Sequence, residues 1–176
     1  MVVTSKHHEG FCLWDSKLTD YKATNTPAGR DLLHPMVDAF RARGLRIGFY
    51  HSLIDWHHPD FLIDDLHSMR NHPDRDKLNA PRKFEWYVEY LHGHARELLT
   101  EFGRVDVMWY DFSYPRRDEQ GKPRPWRGKG REDWQSEKLL AMTRELQPEI
   151  LVNDRMDLIE QGGWDFRTPE QYVPKE

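Results

Sequence analysis

Residues 84–111 read FEWYVEYLHGHARELLTEFGRVDVMWYD, and this stretch decides the fold class. Its first part repeats apolar side chains every three or four positions, which is typical of a helix with one buried face. Gly103 then predicts the end of the helix, and residues 105–110 form a mostly apolar run that is too short for another helix. A helix that leads into a buried strand within a few residues indicates an α/β protein.

The same alternation extends in both directions from this stretch. Three more strands and two more helices are predicted, at residues 2–4, 46–50 and 150–153 and at residues 32–40 and 134–146. Gly44 and Pro148 are the expected stops of these two helices. The order is therefore β-α-β-α-β-α-β, which predicts a parallel sheet with right-handed crossovers.

The composition favours a folded domain and argues against several classes of protein. The 176 residues include 12% aromatic side chains, which disordered chains avoid. The 26 basic and 30 acidic residues leave no basic excess for nucleic acid, and no apolar run approaches the ~20 residues of a membrane span. Cys12 is the single cysteine, which excludes an internal disulfide or a multi-thiolate metal site. The first residues lack a signal-peptide pattern, so we expect a cytoplasmic protein.

The connections between these elements differ in length. Each predicted strand is followed by a long connection before the next helix, at residues 8–30, 52–82 and 112–131. Connections have a median of about 4–6 residues, and long ones are usually functional or disordered. Long loops at the carboxyl ends of parallel strands form one face, on which β/α barrels and doubly wound sheets build their active sites.

Polar side chains stand at these predicted strand ends. Asp111 closes the third strand next to Trp109 and suits a nucleophile or general base, or else the cap of a turn. Glu170 offers a second carboxylate, the pair that most glycosidases need, or is a solvated loop residue. Arg155 suits a residue that orients a carboxylate, or an ordinary ion pair.

The histidines have poor spacing for a metal. His7 and His8 are adjacent, and adjacent residues of a strand face opposite sides, while His92 and His94 lie two apart on a helix. We therefore predict no metal and no cofactor. His7 and His8 are better suited to donate hydrogen bonds to sugar hydroxyls, or else they are structural histidines with internal partners.

Five segments, in order along nearly the whole chain, resemble the α-L-fucosidases of glycoside hydrolase family 29. They are TSKHHEGF at 4–11, GFYHS at 48–52 with Trp56 nearby, VDVMWYD at 105–111, VNDR at 152–155 and WDFRTPE at 164–170. The first resembles the lysine-histidine-histidine signature of the family. The third resembles the strand that bears its catalytic aspartate, and the last resembles the segment with its acid/base residue.

The resemblance implies a retaining hydrolase without a metal, acting on a fucosylated glycan or an aryl fucoside. Asp111 would be the nucleophile and Glu170 the acid/base. The side chains implied in sugar binding are His7, His8, Tyr50, His51, Trp56, Trp109 and Arg155. Between Tyr50 and His51, the resemblance leaves open which one contacts the sugar.

The resemblance also implies a β/α barrel, and a typical eight-stranded barrel takes ~250 residues. Four strands are readable here, so we expect residues 1–176 to form a single domain that is a partial (β/α) barrel. An open sheet exposes two edges and an apolar face, and we therefore expect a homo-oligomer. Two alternatives stay open: a metal-dependent hydrolase that uses His7 or His8 with Asp111, and a non-catalytic fucose-binding or remnant barrel fragment.

Overall fold

The computed structural model describes residues 1–118, 121–125, 128–158 and 162–170, and its elements alternate as the sequence predicts. The strands are β1 (Val2–Lys6), β2 (Gly48–Ser52), β3 (Val107–Asp111) and β4 (Leu151–Val152). The helices are α1 (Leu33–Arg41), α2 (Arg75–Asn79), α3 (Phe84–Glu101), α4 (Arg131–Trp134) and α5 (Ser136–Leu146), with a 3₁₀ turn at Ala23–Asn25. The strands form one parallel sheet in the order β1-β2-β3-β4.

The structure confirms the predicted strands and helices with small shifts at their ends. The second and third strands each begin and end one or two residues later than the sequence indicates. The helix predicted over 134–146 begins instead at Ser136, because Gln135 has φ 51° and separates α4 from α5. The short α2 lies within the long connection at 52–82 and carries no buried side chain. It therefore has no apolar pattern from which the sequence could predict it.

The helices cover one face of the sheet and build the core there. Side chains alternate between the faces of a strand, so Phe49, Met108 and Tyr110 point into this core and are fully buried. Helix α3 packs the buried stripe Tyr87, Val88, Leu91, Ala95, Leu98 and Leu99 against it. Among the described residues, no helix has both the length and the apolar character needed to cross a membrane.

The opposite face of the sheet carries the side chains that the sequence singled out. Tyr50 of β2 and Trp109 of β3 are neighbours in register, and Ser52 pairs with Asp111 two residues later. Further back on this face, a Cβ at Gly48 would lie 2.7 Å from the Cβ of Val107, so only glycine fits there. One face of the sheet therefore packs against the helices, and the other presents polar groups at the strand ends.

Candidate active site

Asp111 stands at the carboxyl end of β3 with both carboxylate oxygens engaged. Its side chain is largely buried, with 7% of the residue exposed. The hydroxyl of Tyr50 donates to Oδ2 at 2.6 Å, and Nη1 of Arg155 donates to Oδ1 at 3.0 Å. Hydrogen bonds from fixed donors hold the carboxylate in one orientation, which a nucleophile or a general base requires.

Arg155, three residues after β4, connects Asp111 to the second carboxylate. The same Nη1 donates to Oε2 of Glu170 at 2.8 Å, so the two acceptor oxygens are at most 5.8 Å apart, the combined length of the two bonds. Nε and Nη2 of Arg155 donate to the hydroxyl and the carbonyl of Thr168, at 2.8 and 2.7 Å. The guanidinium thus brings the two predicted catalytic carboxylates together, although Glu170 itself is 65% exposed.

The electrostatics keep Tyr50 protonated and Arg155 charged. Burial raises the pKa of Tyr50, and its hydrogen bond to the negative Asp111 raises this pKa further. Burial alone would lower the pKa of Arg155, but the hydrogen bond to Glu170 and the charge of Asp111 outweigh it and raise this pKa. Both groups therefore remain donors to Asp111 at neutral pH.

His7, His8 and Trp56 form an aromatic wall beside this cluster. The ring of His7 stacks on Tyr50 at 5.5 Å, and the ring of His8 lies 4.0 Å from that of His7 and meets Trp56 edge-on at 5.5 Å. Burial lowers the pKa of His8 to about 4, and the charge of the neighbouring His7 is the second cause of this shift. His8 is therefore neutral at pH 7.

Of the residues proposed to bind sugar, His51 is the one that the structure separates from the cluster. It is fully buried on the helix-covered face, where its Nδ1 lies 2.9 Å from the Ser5 hydroxyl and its ring meets Trp14 and His94 edge-on. Adjacent residues of a strand face opposite sides, so Tyr50 and His51 cannot both face the site. The structure places Tyr50 at the site and His51 in the core.

Trp109 lies on the same face of the sheet as Tyr50. Its ring meets Phe166 edge-on at 6.0 Å, which connects β3 to the segment that carries Glu170. Its indole Nε1 is buried and has no hydrogen-bond partner within the described part of the chain. A buried indole donor without a partner is uncommon, because most buried polar groups are hydrogen-bonded.

Lys6 and Asp55 form a buried ion pair that the sequence did not single out. Both are buried, and Nζ of Lys6 lies 3.4 Å from Oδ2 of Asp55, 49 positions away along the chain. Gly10 has φ 86°, and a Cβ there would lie 2.3 Å from Oδ1 of Asp55. These contacts connect the end of β1 and the loop after it to the loop after β2. A long-range buried ion pair has no local sequence pattern.

Phe112 directly follows Asp111 and also carried no sequence signal. It has φ 86°, which is uncommon for a residue with a bulky side chain, and its ring lies 5.0 Å from that of His8. It also lines a cavity of about 570 Å³ between Arg155 and the loop at residues 113–131. Asp111 and Tyr50 do not line this cavity, so it lies beside the carboxylate cluster and does not contain it.

Comparison with known proteins identifies the family. The sequence model described as "Alpha-L-fucosidase" matches residues 1–176. The chain belongs to the alpha-L-fucosidase family. The resemblance noted in the five segments is thereby confirmed.

Solved alpha-L-fucosidases share the fold. The alpha-L-fucosidase isoenzyme 1 from Paenibacillus thiaminolyticus is 47% identical with a TM-score of 0.83, over 98% of this chain and 40% of that one. AlfC from Lactobacillus casei, in complex with its α-L-fucose product, is 26% identical with a TM-score of 0.73, over 97% of this chain and 50% of that one. The predicted fold class, part of a β/α barrel with four parallel strands, is confirmed.

A curated relative supports the same family assignment. The tissue alpha-L-fucosidase of Mus musculus is 27% identical over 182 residues, covering 99% of this chain and 34% of the relative. The chain therefore spans about a third of this curated alpha-L-fucosidase and two fifths to a half of the two structural relatives. The roles of individual residues stay predictions.

Proposed function

We propose that this chain carries the catalytic centre of a retaining α-L-fucosidase, with Asp111 as the nucleophile and Glu170 as the acid/base. The contact that carries the proposal is the shared donor Nη1 of Arg155, which keeps the two acceptor oxygens within 5.8 Å. Retaining glycosidases place their carboxyl groups about 5–5.5 Å apart, while inverting enzymes need about 6.5–9.5 Å to admit a water molecule. The spacing supports retention.

In the first step, Asp111 attacks the anomeric carbon while Glu170 gives a proton to the departing oxygen. The glycosidic bond breaks, and a covalent fucosyl-enzyme forms. In the second step, Glu170 takes a proton from water, the water oxygen attacks the anomeric carbon, and fucose leaves Asp111. The Glu170 side chain is 65% exposed, which leaves it room to reach the departing oxygen.

The proposed substrate is a fucosylated glycan or an aryl fucoside. Solved structures of AlfC contain α-L-fucose and Fuca(1,6)GlcNAc. In this chain, Tyr50 and Trp109 are neighbours on the face of the sheet that carries Asp111, and Trp56 meets His8 edge-on. Aromatic faces suit the apolar face and methyl group of fucose. These rings therefore support a deoxy sugar as the bound group.

The nucleophile is tested with Asp111→Gly and an aryl α-L-fucoside. We expect release of fucose to be lost and to return in part when azide is added, because azide can enter the space left by the carboxylate. The matched control is Asp106→Gly just before the same strand, since Asp106 also bonds an arginine but lies at the opposite end of the sheet. Unchanged activity in Asp111→Gly, or equal loss in both variants, would remove Asp111 from this role.

The acid/base is tested with Glu170→Ala against Glu149→Ala. Glu149 is likewise an exposed glutamate that pairs with an arginine, at 3.1 Å from Arg104. We expect Glu170→Ala to impair substrates with poor leaving groups most, since these need the proton. Equal losses for good and poor leaving groups would contradict the role. Loss of activity in EDTA would favour the metal-dependent alternative, and fucose binding without turnover in calorimetry would favour the non-catalytic one.

A further inference from the structure

Ser52, at the end of β2, is fully buried, and its hydroxyl meets three polar groups at once. Oγ lies 2.7 Å from Nδ1 of His8, 2.9 Å from the Ile54 carbonyl and 3.2 Å from the Ile54 amide nitrogen. A hydroxyl has one proton to donate and two lone pairs that accept. The Ile54 amide can only donate and its carbonyl can only accept, so the proton on His8 decides how many of these bonds form.

Two arrangements are possible, and they differ by one hydrogen bond. If Nδ1 of His8 carries the proton, Ser52 accepts from His8 and from the Ile54 amide and donates to the Ile54 carbonyl, so all three bonds form. If Nδ1 lacks the proton, Ser52 donates to His8 and its bond to the Ile54 carbonyl is lost. That carbonyl also accepts from Lys6 at 3.2 Å, and its two lone pairs accommodate both donors.

We propose that Ser52 is a positioning residue that fixes His8 as the Nδ1–H tautomer, so that Nε2 presents a lone pair to a hydroxyl of the sugar. The identity of the ligand as a sugar rests on the proposed function. The proposal reverses the role expected from the sequence, in which His8 donates to the sugar. An imidazole nitrogen without a proton selects a group that can donate, and it disfavours a fluorine or an ether oxygen at the same place.

The ionisation state of His8 agrees with this assignment. His8 lies beside Asp111 and His7, yet burial holds its pKa at about 4, so a neutral ring with one proton is the relevant form. A related serine–histidine pair lies on the other face of the sheet. There, the Ser5 hydroxyl donates to the Tyr50 carbonyl at 2.8 Å and lies 2.9 Å from Nδ1 of His51. This second pair is remote from the carboxylates and provides a control.

The tautomer is measured by NMR on protein labelled with ¹⁵N-histidine, with the His8 signals identified by their loss in His8→Gln. We expect a protonated Nδ1 and an unprotonated Nε2 in the resting protein, and the opposite tautomer would overturn the proposal. Ser52→Ala should give a mixture of tautomers at His8, whereas an unchanged single tautomer would remove Ser52 from its role. In the control Ser5→Ala, the His51 signals should change and the His8 signals should not.

Kinetics give a second readout of the same role. One net hydrogen bond corresponds to about a three- to tenfold change in affinity, so Ser52→Ala should raise KM by about that factor with little change in kcat. An unchanged KM, or a fall confined to kcat, would contradict a binding role for the lone pair. A protein without any fucosidase activity would contradict the proposed function instead, and the tautomer of the resting protein would still test the role of Ser52.

Discussion

Replacing Arg155 with lysine preserves the positive charge but removes the fork that holds both carboxylates. The guanidinium makes four hydrogen bonds, to Asp111, to Glu170 and twice to Thr168. An ammonium at the end of a flexible stem cannot reproduce this planar arrangement. A hydrogen bond to a charged group contributes about 1.5–3 kcal/mol, so losing the bond to Asp111 alone should lower kcat/KM about 10- to 150-fold.

The assay is hydrolysis of an aryl α-L-fucoside, with kcat/KM compared between Arg155→Lys and Arg104→Lys. Arg104 is a close match, because it also bridges an aspartate and a glutamate, with Nε 3.1 Å from Asp106 and Nη2 3.1 Å from Glu149. It lies at the opposite end of the sheet and is largely exposed, and exposed ion pairs contribute about 0–1 kcal/mol. We therefore expect Arg104→Lys to retain nearly all of the activity.

Two results would refute this reasoning. If Arg155→Lys keeps kcat/KM within about threefold of the parent, the fork does not position the carboxylates, because even one lost bond of this kind should exceed that change. If Arg104→Lys loses as much activity as Arg155→Lys, the effect is one of stability. Urea unfolding of both variants separates the two causes, since a positioning effect leaves the unfolding midpoint of Arg155→Lys close to that of Arg104→Lys.

Three further predictions follow from the same contacts. Tyr50→Phe removes the 2.6 Å bond to Asp111 and should lower kcat/KM about 10- to 150-fold in the same assay; an unchanged value would contradict the contact's importance. Burial lowers the pKa values of His51 and His94 well below 6.5, so the unfolded chain binds protons that the folded chain does not. The free energy of unfolding should therefore fall as the pH drops from about 6.5 to 5, and urea titrations with a constant or rising value would contradict this. The edge strands β1 and β4 expose apolar side chains, so light scattering at micromolar concentration should show more than one chain per particle, not a well-folded monomer.

Local pattern was sufficient for the framework of the fold. Helix α3 has apolar residues at helical spacing and a glycine after its end, and the run before Asp111 is short and apolar. Each of these signals can be read from neighbouring residues alone. Asp111 and Arg155 were identifiable because they follow predicted strands of one parallel sheet, where side chains from distant segments meet. The break at Gln135 was not, because a left-handed glutamine has no sequence signature.

The contacts that complete the site could not be predicted from the sequence, for a different reason. Ser52 and Phe112 were not singled out, since a serine or a phenylalanine after a strand is ordinary, and their roles depend on what stands opposite. The ion pair between Lys6 and Asp55 joins the last residue of β1 to the loop after β2, and only the folded chain brings the two together. His51 was left open beside Tyr50, because the choice depends on which face of β2 is covered by helices.

That choice is made by the register of β2, and Gly48 fixes the register. At this position the face of the sheet opposite the helices leaves no room for a Cβ, since it would lie 2.7 Å from the side chain of Val107. A slip of one residue would place Phe49 in this gap and turn every later side chain of the strand to the other face. Tyr50 would then enter the core and His51 the site. The steric fit at the start of the strand therefore decides which side chain reaches Asp111 at its end.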